Sequence, residues 1–251
     1  MKGVILAGGK GTRLAPLTEV TNKHLLPVGR EPMVWHAIRQ LISSNIRDIL
    51  LVTSTEHMGD IVNSVGSGRK FDCQMTYKVQ EESKGIAHGL LLAENFANGE
   101  KICVLLADNI FEYSISEHVD RFCNQDGGAY VLLKEVGNPE RYGIAALDEK
   151  QILSIEEKPN KPSTNFAVVG CYMYDDSVFD IIRTIGFSER GELEITDVNN
   201  KYVKRCQLEY GFIHGKWTDA GTFESLSEAN AILLKSKNEI RALNLCNEEI
   251  N

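Results

Sequence analysis

Over the first half of the chain, short apolar runs alternate with segments of helical period, and few folds accommodate that rhythm. The runs are Gly3–Ala7, Asp48–Thr53, Gln74–Val79 and Ile102–Ala107, and helical patterns lie between them at Pro32–Ser43, Met58–Val65 and Ile86–Phe96. Continuous Val/Ile/Leu runs suit strands buried on both faces. Strand–helix–strand repetition builds a parallel sheet with helices on both sides. After residue 127 the pattern changes: close-spaced strand candidates at Ala129–Val136, Ile144–Leu147, Gln151–Ile155 and Val168–Tyr174 precede short helices at Ser177–Ile185 and Leu193–Lys204. A strand at Gln207–Ile213 and a helix from Thr222 to about Ser236 complete the pattern. The expected fold is α/β, a Rossmann-like, mostly parallel mixed sheet with helices on both faces. One domain is expected over residues 1–251, with a nucleotide-type half to about 127, a strand-rich half from about 128, and a cleft between them.

A chain of 251 residues is long enough for a full core. Its longest apolar stretches, such as Ile102 to Ala107, are far too short to span a membrane. The first apolar run, Val4 to Ala7, stops at glycines, which suits a strand better than a secretion signal. Six cysteines are scattered without a C-x-x-C pair. They read as reduced thiols of a cytoplasmic protein, and zinc is disfavoured. A net charge of −8 argues against a broad nucleic-acid surface. The first thirty residues nevertheless carry Lys2, Lys10, Arg13, Lys23 and Arg30 against Glu19 alone. That segment reads either as a local anion site or as solvated charge.

The loop after the first strand favours the anion site. It reads Leu6-Ala7-Gly8-Gly9-Lys10-Gly11-Thr12-Arg13-Leu14. Glycine reaches positive φ freely and lets backbone N–H groups approach a ligand closely. Successive N–H groups of such a loop form a concave anion nest. Phosphate oxygens fit it, with Arg13 as a planar donor and Lys10 or Lys23 as a point charge. A Walker loop is excluded because the lysine precedes the last glycine, and a dinucleotide fingerprint is weakened because Leu14 stands where its third glycine belongs.

Further along stand QEESKGIAHG, LADNIF, NPERYG, EEKP, RGELEITD and WTDAGT. With LAGGKGTRL and NKHLLP, these motifs resemble the sugar-1-phosphate nucleotidyltransferases, in the order found in glucose-1-phosphate thymidylyltransferases, from residue 1 to about 235. The resemblance implies transfer of a nucleotidyl group from dTTP to glucose 1-phosphate, with Mg2+ as cofactor. It implies small-molecule substrates and neither a nucleic-acid nor a membrane partner. Arg13 and Lys23 would be catalytic. Leu6, Ala7, Gly8, Gly9, Gly11, Thr12, Gln80, Gly85 and Asp108 would bind the nucleotide. Tyr142, Gly143, Glu157, Lys158, Val168 and Arg190 would bind the sugar phosphate, and Asp108 and Asp219 would hold the metal. A homo-oligomer is compatible with the resemblance. The chain stops at Asn251, short of the C-terminal helices of the family's longer form. Neither the second nucleotide site nor the tetramer contacts of those helices are therefore expected.

Read on their own, several of these residues keep a second meaning. Asp108 ends a strand and can be a metal ligand or a turn aspartate. Asp219 can be a surface acid or a helix cap. Glu157 and Lys158 are adjacent, and strand neighbours point to opposite faces. Both reach one ligand only if the strand ends or twists there, and the following Pro159 makes an end plausible. Ala87-His88-Gly89 stands where the family more usually has Ala-Gln-Ala, which leaves the base less determined than the fold. A uridylyl- or cytidylyltransferase stays open, as does a non-catalytic sugar-nucleotide-binding subunit.

Overall fold

The computed structural model describes residues 1–234. Strand β1 (Lys2–Ala7) leads through the short strands β2 (Pro27–Val28) and β3 (Glu31–Pro32) and helix α1 (Met33–Ser43) to β4 (Asp48–Ser54). Then come α2 (Met58–Val65), β5 (Gln74–Gln80), α3 (Ile86–Leu91), α4 (Glu94–Ala97) and β6 (Ile102–Leu106). These strands lie in the order β6-β1-β4-β5, all parallel. The chain winds outward from β1 through β4 to β5 and returns to the other side of β1 as β6. The strand order therefore reverses at β1, and such reversals open a crevice beyond the carboxyl ends of the strands.

The second half adds β7 (Asn109–Phe111), α5 (Ser116–Asn124), β8 (Ala129–Glu135), β9 (Gly143–Leu147), β10 (Ile152–Glu157) and β11 (Phe166–Tyr174). It continues with α6 (Val178–Arg183), α7 (Ile195–Lys204), β12 (Leu208–Phe212) and β13 (Trp217–Asp219), and residues 223–234 are helical. The nine-residue β11 joins the halves into one nine-stranded mixed sheet. One of its edges pairs with β8. The other pairs with β6 from Cys171 to Tyr174 and with β9 at Ala167. Between those pairings β6 and β9 diverge, and the gap beside Val168 and Gly170 becomes part of a cavity.

Period-two alternation sends neighbouring side chains to opposite faces. Val4, Leu6, Leu50, Val52, Ile102 and Val104 enter one buried layer, with α3, α6 and α7 supplying its cover. Ile5, Ala7, Ile49, Leu51, Cys103 and Leu105 enter the other, under α1, α2 and α5. A third, smaller cluster of Leu14, Leu26, Val28, Met33, Ile110, Ala220 and Ala229 anchors the first loop against the last described helix.

Among the helices, three depart from the sequence reading, and the short strands β2, β3, β7 and β13 are additional to it. The helix expected over Ile86–Phe96 is two, α3 and α4, broken at residues 92–93. Helix α5 is additional; it buries only His118, Val119 and Phe122, so its apolar stripe is thin. The helix expected from Thr222 to about Ser236 is helical from 223 to 234; Thr222 precedes it, and the positions after 234 lie outside the described residues.

Candidate active site

The glycine loop leaves the carboxyl end of β1 beside the end of β6, where the Ala107 N–H donates to the Leu6 carbonyl at 3.0 Å. Gly11 sits at φ 68°. A Cβ there would lie 2.7 Å from the Lys23 Cβ, so the loop closes over Lys23 only with glycine at this place. Lys23 belongs to a short 3-10 turn opened by Asn22, whose side chain accepts from the His24 N–H at 2.8 Å. The lysine is buried, and its Nζ donates to Asp108 Oδ2 at 2.5 Å. Asn109 Nδ2 donates to the other Asp108 oxygen at 2.9 Å. Asn109 Oδ1 in turn accepts from Trp217 Nε1 at 2.8 Å and from the Gly170 N–H at 2.9 Å. Burial alone would raise the Asp108 carboxyl, but the Lys23 charge and these hydrogen bonds outweigh it and hold it well below the usual range. Burial, reinforced by Lys23 and opposed by Asp108, pushes His24 down to about 3, so its imidazole is neutral.

Asp219 comes from β13, which pairs with β7 antiparallel so that Asp219 lies opposite Asn109. Its carboxylate accepts from Arg141 Nη2 at 3.3 and 3.4 Å and from the Tyr142 hydroxyl at 3.1 Å. Burial first, and then the charge of Asp108, raise the Asp219 carboxyl. Two carboxylates that repel each other at one end of a cleft form an all-oxygen donor set. Mg2+ takes such ligands and usually completes its shell with water and substrate phosphate rather than with further protein groups. Among the described residues no group of three or more His, Cys, Asp or Glu could hold a metal. A two-carboxylate site of that kind fits these residues.

On the sugar side, Glu157 ends β10 and Lys158 follows at φ 45°, in the left-handed region. That twist answers the facing problem: Lys158 Nζ turns back to 3.6 Å from Glu157 Oε1, and both residues line one cavity. Glu157 Oε2 accepts from the Thr196 hydroxyl at 2.6 Å. Arg190 gives Nε and Nη2 to Glu194 at 3.2 and 2.8 Å, and Nη2 also lies 3.3 Å from Glu157 Oε1 and 3.5 Å from Glu192. Its Nη1 makes no hydrogen bond among the described residues.

Two cavities result, of about 270 and 340 Å³. The first brings together Tyr142, Gly143, Glu157, Lys158, Val168, Arg190 and Asp219. The second brings together Leu6, Gly8, Gly9, Lys23, Gln80 and Gly85. Arg13 and Asp108 line both, together with Ile86, Leu106 and Glu192, so the compartments meet along these side chains. Ala7, Gly11 and Thr12 line neither: Ala7 is buried in the core, Gly11 packs on Lys23, and Thr12 is exposed. Sequence reasoning passed over Arg141, Asn109 and Thr196, and gave Glu194 only a part in stabilising its helix start or motif. All four lie inside the motifs quoted above, beside Tyr142, Asp108 and Arg190.

The nucleotidyl transferase family model matches residues 2–236. A glucose-1-phosphate thymidylyltransferase of Neisseria meningitidis is 38% identical over 256 aligned residues, covering 100% of this chain and 88% of the relative. One from Xanthomonas campestris is 39% identical, covering 91% and 79%. Among solved structures, a Bacillus anthracis protein assigned as a glucose-1-phosphate thymidylyltransferase, in complex with a sucrose, superposes with a TM-score of 0.89 at 52% identity. That superposition covers 92% of this chain and 94% of the other. A UDP-glucose pyrophosphorylase complexed with UDP-glucose gives a TM-score of 0.80 at 25% identity, covering 93% and 98%. With a glycine loop, a buried lysine and two aspartates gathered at one strand reversal, the chain belongs to the nucleotidyl transferase family.

Proposed function

We infer that the protein transfers a thymidylyl group from dTTP to glucose 1-phosphate, giving dTDP-glucose and pyrophosphate. The relatives' shared activity supports this reading. The single observation that carries it is that Arg13 and Asp108 line both cavities. A triphosphate in one cavity and a sugar phosphate in the other would meet at those two residues. The first half of the chain would hold the nucleotide and the second the sugar phosphate.

The chemistry needs no protein nucleophile, because the sugar phosphate is already an oxyanion. Its oxygen attacks the α-phosphorus in line, and pyrophosphate leaves. The chain's task is to bring two polyanions together. Arg13 and the loop N–H groups would hold the triphosphate and meet the charge that spreads over the α-phosphate oxygens. Lys23 keeps Asp108 ionised and fixed. Lys158 and the open Nη1 of Arg190 would take the sugar phosphate. The Glu157 carboxylate would accept from sugar hydroxyls, with Thr196 setting its angle. Asp108 and Asp219 would hold Mg2+, which supplies charge neutralisation between the two phosphates. The described cysteines are free thiols, which fits a reducing compartment and a cytoplasmic enzyme.

Pyrophosphate release across dTTP, UTP, CTP and ATP, each with glucose 1-phosphate and Mg2+, tests the reading. Turnover highest with dTTP supports it. Release with no pyrimidine triphosphate refutes it.

A further inference from the structure

We propose that His88 determines which base the nucleotide cavity accepts, by fixing the orientation of the Gln80 amide. The proposal rests on the reading that this cavity takes a pyrimidine nucleotide, and it adds the residue that sets the choice.

Gln80 closes β5 and its side chain is nearly buried, 9% exposed, in the wall of the nucleotide cavity. Its Nε2 lies 3.0 Å from His88 Nδ1 and 3.4 Å from the Gly85 carbonyl oxygen. A carbonyl oxygen can only accept, so the amide atom beside it is the nitrogen. Both amide hydrogens are then used inside the wall. His88 Nδ1 must offer a lone pair, which puts the imidazole proton on Nε2.

The other amide atom, Oε1, faces two glycines. A Cβ on Gly8 would lie 2.8 Å from it, and one on Gly89 3.0 Å. Side chains at those places would crowd the oxygen. Oε1 has no hydrogen-bond partner among the described residues and is not sealed from the cavity, since the one buried unpaired side-chain oxygen is that of Gln125. The wall thus presents a lone acceptor. The N3–H of thymine or uracil satisfies it. Cytosine carries a lone pair at N3 and meets it with repulsion, and a buried polar group left unpaired is what makes discrimination large.

His88 donates nothing to the nucleotide in this arrangement; it is a positioning residue. Without an acceptor at residue 88 only the longer contact to the Gly85 carbonyl, at 3.4 Å, holds the amide; the turned amide, with Nε2 toward the cavity, becomes populated and the bias against cytosine weakens.

The test measures dissociation constants of dTTP and CTP by calorimetric titration, without sugar phosphate, for the native protein and three variants. His88→Asn keeps an acceptor, His88→Leu removes it, and His88→Lys replaces it with a donor. The CTP-to-dTTP ratio should fall about tenfold in His88→Leu, the value of one hydrogen bond. It should fall at least as far in His88→Lys and stay within about threefold of native in His88→Asn. A native ratio retained in His88→Leu or His88→Lys overturns the proposal, as does a His88→Asn ratio as low as that of His88→Leu. Pyrophosphate release by the native protein is scored separately. Its absence with every pyrimidine triphosphate refutes the functional reading and leaves the binding ratio to judge His88.

Discussion

Asp219 ends a ladder only three residues long, opposite Asn109, and Asp108 comes just before that ladder, where the Ala220 N–H donates to the Asp108 carbonyl at 2.8 Å. One aspartate is paired with a buried lysine, the other with a half-buried arginine and a tyrosine hydroxyl. The two carboxylates are neighbours in sharply different environments.

That difference predicts a split between activity and stability. Asp108→Asn and Asp219→Asn should each lower turnover by about 10²–10³-fold. Asp108→Asn also leaves the Lys23 ammonium buried without its counter-charge, at a cost of about 3 kcal/mol. In Asp219 the ionised form is disfavoured by burial and by Asp108. Its neutral replacement should therefore leave stability within about 0.5 kcal/mol of native or raise it. Chemical denaturation alongside a pyrophosphate assay reads both effects; equal destabilisation would contradict the electrostatic account.

Arg13 is exposed and stands at the junction of the cavities. Arg13→Ala should lower kcat by about 10²-fold while changing stability by less than about 0.5 kcal/mol. A thermal defect with native kcat would remove Arg13 from the chemistry.

Gly85 packs the segment after β5 against the one before α7. It lies at φ 97°, and a Cβ there would sit 2.6 Å from the Leu193 carbonyl oxygen. Leu193 is tied to the same segment, its N–H donating to the Lys84 carbonyl at 2.8 Å and its carbonyl accepting from Ala87 at 3.3 Å. Gly85→Ala should cost about 1–3 kcal/mol of strain. Because Leu193 follows Arg190 closely, KM should rise for glucose 1-phosphate as well as for dTTP. Steady-state kinetics in both substrates checks this; a rise for dTTP alone would show that the loops respond independently.

His24 predicts an acid limb. Its folded value of about 3 lies below the ordinary 6.5, so between these limits the unfolded chain binds the extra proton. The stability this group contributes is complete above pH 6.5 and is lost as pH falls toward 3. The slope is up to about 1.4 kcal/mol per pH unit. His24→Gln should flatten the melting temperature against pH over that window; an unchanged profile would show that His24 does not titrate there.

The parallel half of the sheet was legible because its strands are buried on both faces and read as unbroken apolar runs. Asp108, the glycine loop and Lys23 were legible because they sit at strand ends or in the turns that follow. Strands β7 and β13 were not: three-residue strands carry too little pattern, and their pairing joins residues far apart in the chain, Phe111 to Trp217 and Asn109 to Asp219. Arg141 was missed for the same reason, since its partner Asp219 lies 78 residues away. The twist at Lys158 was half legible. Pro159 marked the strand end, but a lysine at positive φ has no sequence signature.

The central claim is a direct transfer between two bound anions. It is tested most directly by following 18O from the phosphate of labelled glucose 1-phosphate during turnover with dTTP and Mg2+. The account predicts every label retained on the glucose-bearing phosphorus of dTDP-glucose, one labelled oxygen forming the diphosphate bridge, none in pyrophosphate, and no exchange of pyrophosphate into dTTP without the sugar. Label in pyrophosphate, or exchange in the absence of glucose 1-phosphate, would contradict it.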